Sequence, residues 1–87
     1  MFASLFLFAS ILAAQKPVTL TWNLNPENDV AGYVLYYGKA SGIYSRSVEV
    51  TAPPVTVTTT TKKTFFVVTA FDTMGLESGY SNEVHYP

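Results

Sequence analysis

Thr64-Phe65-Phe66-Val67-Val68-Thr69-Ala70-Phe71 is the stretch whose reading decides the fold. Its residues are β-branched or aromatic at seven of eight positions, and none is Gly, Pro or charged. That composition suits a pleated, packed surface, and the length is that of a strand. Side chains alternate across a strand. Phe66, Val68 and Ala70 therefore share one face, and Phe65, Val67, Thr69 and Phe71 share the other.

The same period continues on both sides. Towards the C-terminus, Asp72-Thr73-Met74-Gly75 is turn chemistry, Glu77-Ser78-Gly79 prolongs the loop, and Ser81 to Tyr86 reads as a last strand closed by Pro87. Towards the N-terminus, Val55 to Thr58 is a short strand before the run of threonines at 58–61. Pro53-Pro54 breaks the chain ahead of it. Tyr44 to Val50 and Tyr33 to Tyr37 are strands separated by the turn Lys39-Ala40-Ser41-Gly42. Val18-Thr19-Leu20-Thr21-Trp22 alternates apolar residues with Thr and predicts a half-buried strand. Residues 23–32 carry Asn, Pro, Glu and Asp and read as loop. Short strands at this spacing predict an all-β antiparallel sandwich.

Composition narrows the function. The chain has 87 residues, enough for one domain. Hydrophobic residues make up 48% and charged residues only 13%; an ordinary domain has roughly 25% charged. Such a chain folds, but its surface has little charge to oppose association. Net charge is −1, which excludes the electrostatic footprint of a nucleic-acid binder. Cysteine is absent, so disulfides, thiolate metal sites and thiol nucleophiles are excluded.

Residues 1–16 form a separate hydrophobic segment ahead of a domain over 17–87. Phe2, Leu5, Phe6, Leu7, Phe8, Ile11 and Leu12 make an uncharged run. It is too short for a stable transmembrane helix, which needs about 20 residues. It has the length of a signal-peptide core, although no Lys or Arg precedes it and Leu12 is bulky for a cleavage site after Ala14. The alternatives are an assembly arm that stays on the protein as a strand or helix, and an anchor on a membrane surface.

The pattern VTLTW, AGYVLYYG, IYSRSVEV and TFFVVTAFDTMGLESGYSNEV, in that order, resembles a fibronectin type III domain of the version common in bacterial and phage extracellular proteins. The likeness covers residues 17–86, about four-fifths of the chain. It implies an immunoglobulin-like sandwich in which Trp22 is the core tryptophan of the family's strand B. Tyr33, Leu35 and Tyr37 would face inward from strand C, and Phe66, Val68 and Ala70 from strand F. It also implies an extracellular, cell-surface or virion location. The chain departs from the pattern twice. Thr64 stands where the family carries the tyrosine of its E–F corner, and strand A has no residues of its own unless the N-terminal segment supplies them. That segment is therefore expected to complete the sandwich, within the chain or in a neighbour.

No residue set predicts catalysis or a cofactor. His85 is the one histidine, and the serines lie outside any nucleophile-elbow motif. Glu27 and Asp29, with Asn25 and Asn28 close by, offer oxygens for a weak Ca²⁺ site, but their spacing matches no EF-hand loop, and a polar loop with Asx turns is the favoured reading. The informative surface is the outward side of the C and F strands. Val34, Tyr36, Phe65, Val67 and Phe71 would make it apolar, where an isolated sheet face is usually polar. Unless Tyr44 or a long loop covers it, this face predicts a contact surface. The resulting expectation is a non-catalytic assembly subunit of a surface, filament or virion, associating with itself or a larger structure through the arm and this face. The alternative is a secreted recognition module that binds protein or carbohydrate through its loops.

Overall fold

The computed structural model describes residues 7–11, 17–59 and 63–87. Seven strands are formed there: β1 (Leu7–Ile11), β2 (Pro17–Trp22), β3 (Val30–Gly38), β4 (Arg46–Val50), β5 (Val55–Thr58), β6 (Thr64–Asp72) and β7 (Val84–Tyr86). They make a three-stranded sheet ordered β1-β2-β5 and a four-stranded sheet ordered β4-β3-β6-β7, with every pairing antiparallel. The fold is all-β and sandwich-like.

The inner faces meet on one core. Leu7, Val18, Leu20, Trp22 and Val57 of the first sheet pack with Tyr33, Leu35, Phe66, Val68 and Ala70 of the second. The period-two sets are responsible, since each strand offers one apolar face. Burying a Leu, Val or Phe side chain fully contributes about 1.5–3 kcal/mol, and Leu20, Leu35, Phe66 and Val68 are wholly enclosed. The Trp22 and Tyr33 rings meet edge to face at 5.4 Å across the two sheets, a geometry the ring quadrupoles favour. Tyr37 is only half-buried at the rim of this core, stacked on Phe66 at 5.9 Å.

The hydrophobic N-terminal segment enters the fold here. Its residues 7–11 pair with β2 of the same chain, with Leu7 opposite Trp22 and Ile11 opposite Val18. Leu7 is 1% exposed. Phe8 lies opposite Thr21 in the same ladder. Phe2, Leu5, Phe6 and Leu12 lie outside the described residues. Among the described residues, no helix is long and apolar enough to cross a membrane.

Two expected strands are shorter than their sequence pattern. Residues 81–83 are not in β7. The segment before it is tied to β6 by backbone and serine groups together: Ser81 N donates to Val68 O and Ser78 N to Ala70 O, while Val68 N donates to Ser81 Oγ and Ala70 N to Ser78 Oγ, both at 2.9 Å. Tyr44 and Ser45 precede β4 because the chain folds back over Gly38 at this point. A Cβ on Gly38 would come within 2.3 Å of the Ile43 carbonyl oxygen.

Candidate interaction surface

The outer face of the four-stranded sheet is not bare. Val67 is 1% exposed, and Val34, Tyr36, Phe65 and Phe71 are half-buried. Two segments come over this side. The fold-back between β3 and β4 brings Tyr44, and the segment from Glu77 to Glu83 brings Tyr80. The Tyr80 ring meets Tyr36 at 5.5 Å and Tyr44 at 5.4 Å, both edge to face. Val67 is thus interior, contrary to its expected place on an open apolar surface. The reason is the covering of this sheet by chain from both sides.

Two glutamates lock that cover. Glu77 Oε2 accepts from the Tyr36 hydroxyl and from Thr69 Oγ1. Glu83 accepts from Ser41 Oγ at 2.6 Å, from the Gly42 amide at 3.0 Å and from the Tyr44 hydroxyl. The Tyr36 phenol is pushed up to about 12 by its hydrogen bond to Glu77 and then by burial. Burial first, and Glu83 second, push Tyr44 up to about 12. Glu83 itself is held below the ordinary carboxylate range by the Ser41 and Tyr44 hydroxyls that donate to it. Between Tyr36, Glu77 and Tyr80 lies a shallow cavity of about 350 Å³.

Large apolar side chains are also exposed: Met74 is 85% exposed, Ile43 69%, Leu76 64% and Leu24 63%. Ile43 lies on the fold-back between β3 and β4, whereas Met74, Leu76 and Leu24 gather on loops at one end of the molecule, where β2 and β6 finish and β3 begins. The loop after β6 is held by its own backbone. Gly75 N donates to Asp72 O and Asp72 N to Leu76 O, both at 2.9 Å. The Asp72 side chain closes the ring, its Oδ1 accepting from the Met74 and Leu76 amides at 2.9 Å. Gly75 takes φ +86°, the left-handed region in which glycine bears no Cβ penalty. Thr73 N donates to Asp29 O at 3.0 Å, which ties this loop to the one before β3. Met74 and Leu76 are thus displayed on a fixed backbone, so docking them costs little ordering entropy. In the sequence, Met74 reads only as part of a turn, and Leu76 carries no assignment. The signal available was two large apolar side chains inside a turn that polar residues could have filled.

No protein-family model, curated protein or solved structure matches this chain.

The loop before β3 has unusual polar burial. Trp22 Nε1, Asn25 Nδ2, Asn25 Oδ1 and Glu27 Oε1 are enclosed with no hydrogen-bond partner within the protein. The Asn25 amide nitrogen of the backbone is satisfied by the Tyr33 hydroxyl at 3.0 Å. Two donors and two acceptors are a set that water can bridge. A bare cation would meet two N–H groups, so a Ca²⁺ ion here would gain oxygens from Asn25 and Glu27 but an unfavourable pair of donors with them. Among the described residues, no three His, Cys, Asp or Glu side chains converge as metal ligands.

Proposed function

We propose that this chain is a non-catalytic interaction domain of the fibronectin type III kind, serving as a subunit of an extracellular, cell-surface or virion assembly. The order β3, β6, β7 in one sheet supports the family reading, as it follows the C–F–G neighbourhood of that family. The functional reading is carried by one observation: the hydrogen-bonded loop 72–76 holds Met74 and Leu76 outward at the end of the sandwich. Buried arrangements elsewhere favour this end over the arm and the sheet face. β1 is engaged with β2 of its own chain, and Val67 is covered. The test compares the wild-type chain with a Met74→Asp, Leu76→Asp variant for co-sedimentation with the particle or cell-surface fraction of the source. Loss of co-sedimentation by a variant that still folds is the expected result. Equal retention of both would sink the assignment.

A second reading is favoured by the tyrosine face. Tyr80 is 60% exposed and stands beside a cavity shared with Tyr36 and Glu77. An aromatic ring with a carboxylate beside it suits the apolar face and hydroxyls of a sugar. Binding to a glycan panel that disappears on Tyr80→Ala would favour recognition of carbohydrate.

A further inference from the structure

The basic charges among the described residues gather at one end of the molecule, while the acidic ones are spread, with Glu49 in β4 and Glu83 against the 41–44 fold-back. The molecule's extents are 37 × 23 × 17 Å. Glu27, Asp29 and Asp72 lie at the end that carries Met74 and Leu76, since Val30 and Asp72 are partners at that end of the β3–β6 ladder. Lys39, Arg46 and Lys63 lie at the other end, where Gly38 pairs with Phe65 and Tyr37 with Arg46. Every basic side chain among the described residues is at this second end. A groove of about 310 Å³ opens there, bounded by Tyr37, Lys39, Arg46, Thr58, Thr59 and Thr64.

We infer that the loop end of one copy docks into this groove at the basic end of a second copy, head to tail. The inference rests on the proposed role of the loop end and names its partner. Three observations carry it. The projecting element carries Asp29 and Asp72 beside its apolar side chains, while the groove is lined by Lys39 and Arg46 with Tyr37 and a set of serine and threonine hydroxyls, so the charges are complementary. Methionine is unbranched and polarisable and fills irregular apolar space. The two surfaces sit at opposite ends of one rigid sandwich, so a tip cannot reach its own groove and the occupant must be another molecule. Contact between unlike surfaces of identical chains is heterologous, and it propagates as a ring or an open filament.

The experiment is sedimentation velocity on the full chain across a concentration series, in low and high salt. The wild type is expected to form a ladder of oligomers that is lost at high salt, because the screening length falls from about 10 Å at 0.1 M to about 3 Å at 1 M. Met74→Asp and Arg46→Glu change exposed side chains at opposite ends. Each variant alone is expected to be monomeric with an unchanged circular dichroism spectrum. Mixed, they are expected to form a one-to-one dimer that grows no further, because one keeps an intact groove and the other an intact tip. A wild type that stays monomeric throughout overturns the inference, as does an Arg46→Glu chain that still polymerises. If the wild type is monomeric while its co-sedimentation still depends on Met74 and Leu76, the second copy is the wrong partner and the loop end remains a binding surface.

Discussion

The side chain of Asn82 grips the backbone of Leu7 from both sides. Leu7 N donates to Asn82 Oδ1 at 3.0 Å, and Asn82 Nδ2 donates back to Leu7 O at 3.4 Å. Leu7 belongs to the three-stranded sheet and Asn82 to the segment just before β7 of the other, so a single amide closes the seam between the first strand and the segment that leads into the last. An edge strand presents unpaired backbone groups, and this contact satisfies two of them. Asn82→Ala should therefore lower stability by about 1–2 kcal/mol. It should also speed amide exchange at Leu7 without changing exchange at Ala70. Unaltered protection of Leu7 in the variant would mean that the Asn82 contact is incidental.

Leu7 also supplies core. Its 1% exposure and its place opposite Trp22 make it the N-terminal segment's buried contribution to the core. Leu7→Ala should cost about 2–5 kcal/mol, a large share of the roughly 5–15 kcal/mol available to a small domain. A chain starting at Lys16 loses β1 entirely and uncovers the β2 edge beside Val18, Leu20 and Trp22. It should aggregate or melt far below the full chain, and a synthetic peptide of residues 2–12 added in trans should restore its melting temperature. A shortened chain as stable as the full one would show that β1 is dispensable, as a cleaved signal segment would be.

Much of this was legible in the sequence because strands write a period of two. Val18, Leu20 and Trp22, then Tyr33 and Leu35, then Phe66, Val68 and Ala70 form the core that the alternation predicts. Val67 shows where alternation stops. Parity puts it on the outer face, and it is there, but parity carries no information about chain that returns over that face from residues 77–83 and 39–45. The same limit applies to Ser78 and Ser81. Their hydroxyls accept from strand amides, and a hydroxyl replacing a carbonyl leaves no mark in a hydrophobic pattern. The loop end was hidden for another reason. Asp72-Thr73-Met74-Gly75 satisfies every rule for a turn, and only the three-dimensional hydrogen bonds reveal that the turn is rigid while its apolar side chains stay in solvent.

Rigidity of that turn can be tested apart from its side chains. Asp72 Oδ1 accepts from both Met74 N and Leu76 N. Asp72→Ala removes that acceptor while Met74 and Leu76 remain. Stability should fall by about 1 kcal/mol, and association through the loop end should weaken because its ordering cost returns. Asp72→Asn retains an oxygen in the same position. It should restore both loop order and much of the association. Equal binding by the alanine and asparagine variants would show that the ring of hydrogen bonds contributes nothing to docking.

Calcium offers a sharper test of the loop before β3. Asn25 and Glu27 bring two enclosed oxygens, but Trp22 Nε1 and Asn25 Nδ2 bring two enclosed donors without partners in the protein. Saturating Ca²⁺ should leave the melting temperature unchanged, whereas a ligand present at 100 times its dissociation constant would add about 2.7 kcal/mol. Asn25→Leu removes two unpaired polar atoms. It should cost less than the roughly 2–5 kcal/mol typical of disrupting a core site. A clear calcium-dependent rise in melting temperature would instead establish the cation site.

Gly38 controls whether the tyrosine cover forms. A Cβ there would lie 2.3 Å from Ile43 O and 3.0 Å from Tyr44 Cα, both backbone atoms that cannot rotate away. Gly38→Ala should expel the fold-back, separating Tyr44 from Glu83 and Tyr80. The readout is phenolate absorbance across alkaline pH. In the wild type, Tyr36 and Tyr44 should both titrate late, near 12, against about 10 for a free tyrosine. The folded state favours their protonated forms, so the stability they contribute is fully present below about 10 and is lost as pH rises through about 12. Glu83 acts with the opposite sign. Its lowered value in the folded chain gives stability that is present above the ordinary carboxylate range and lost as pH falls through the lowered value. In Gly38→Ala, Tyr44 should return towards 10 while Tyr36, held by Glu77 on the other side of Tyr80, stays late. If both tyrosines move together, the two halves of the cover are one cooperative unit, and Tyr80 is the link that makes them so.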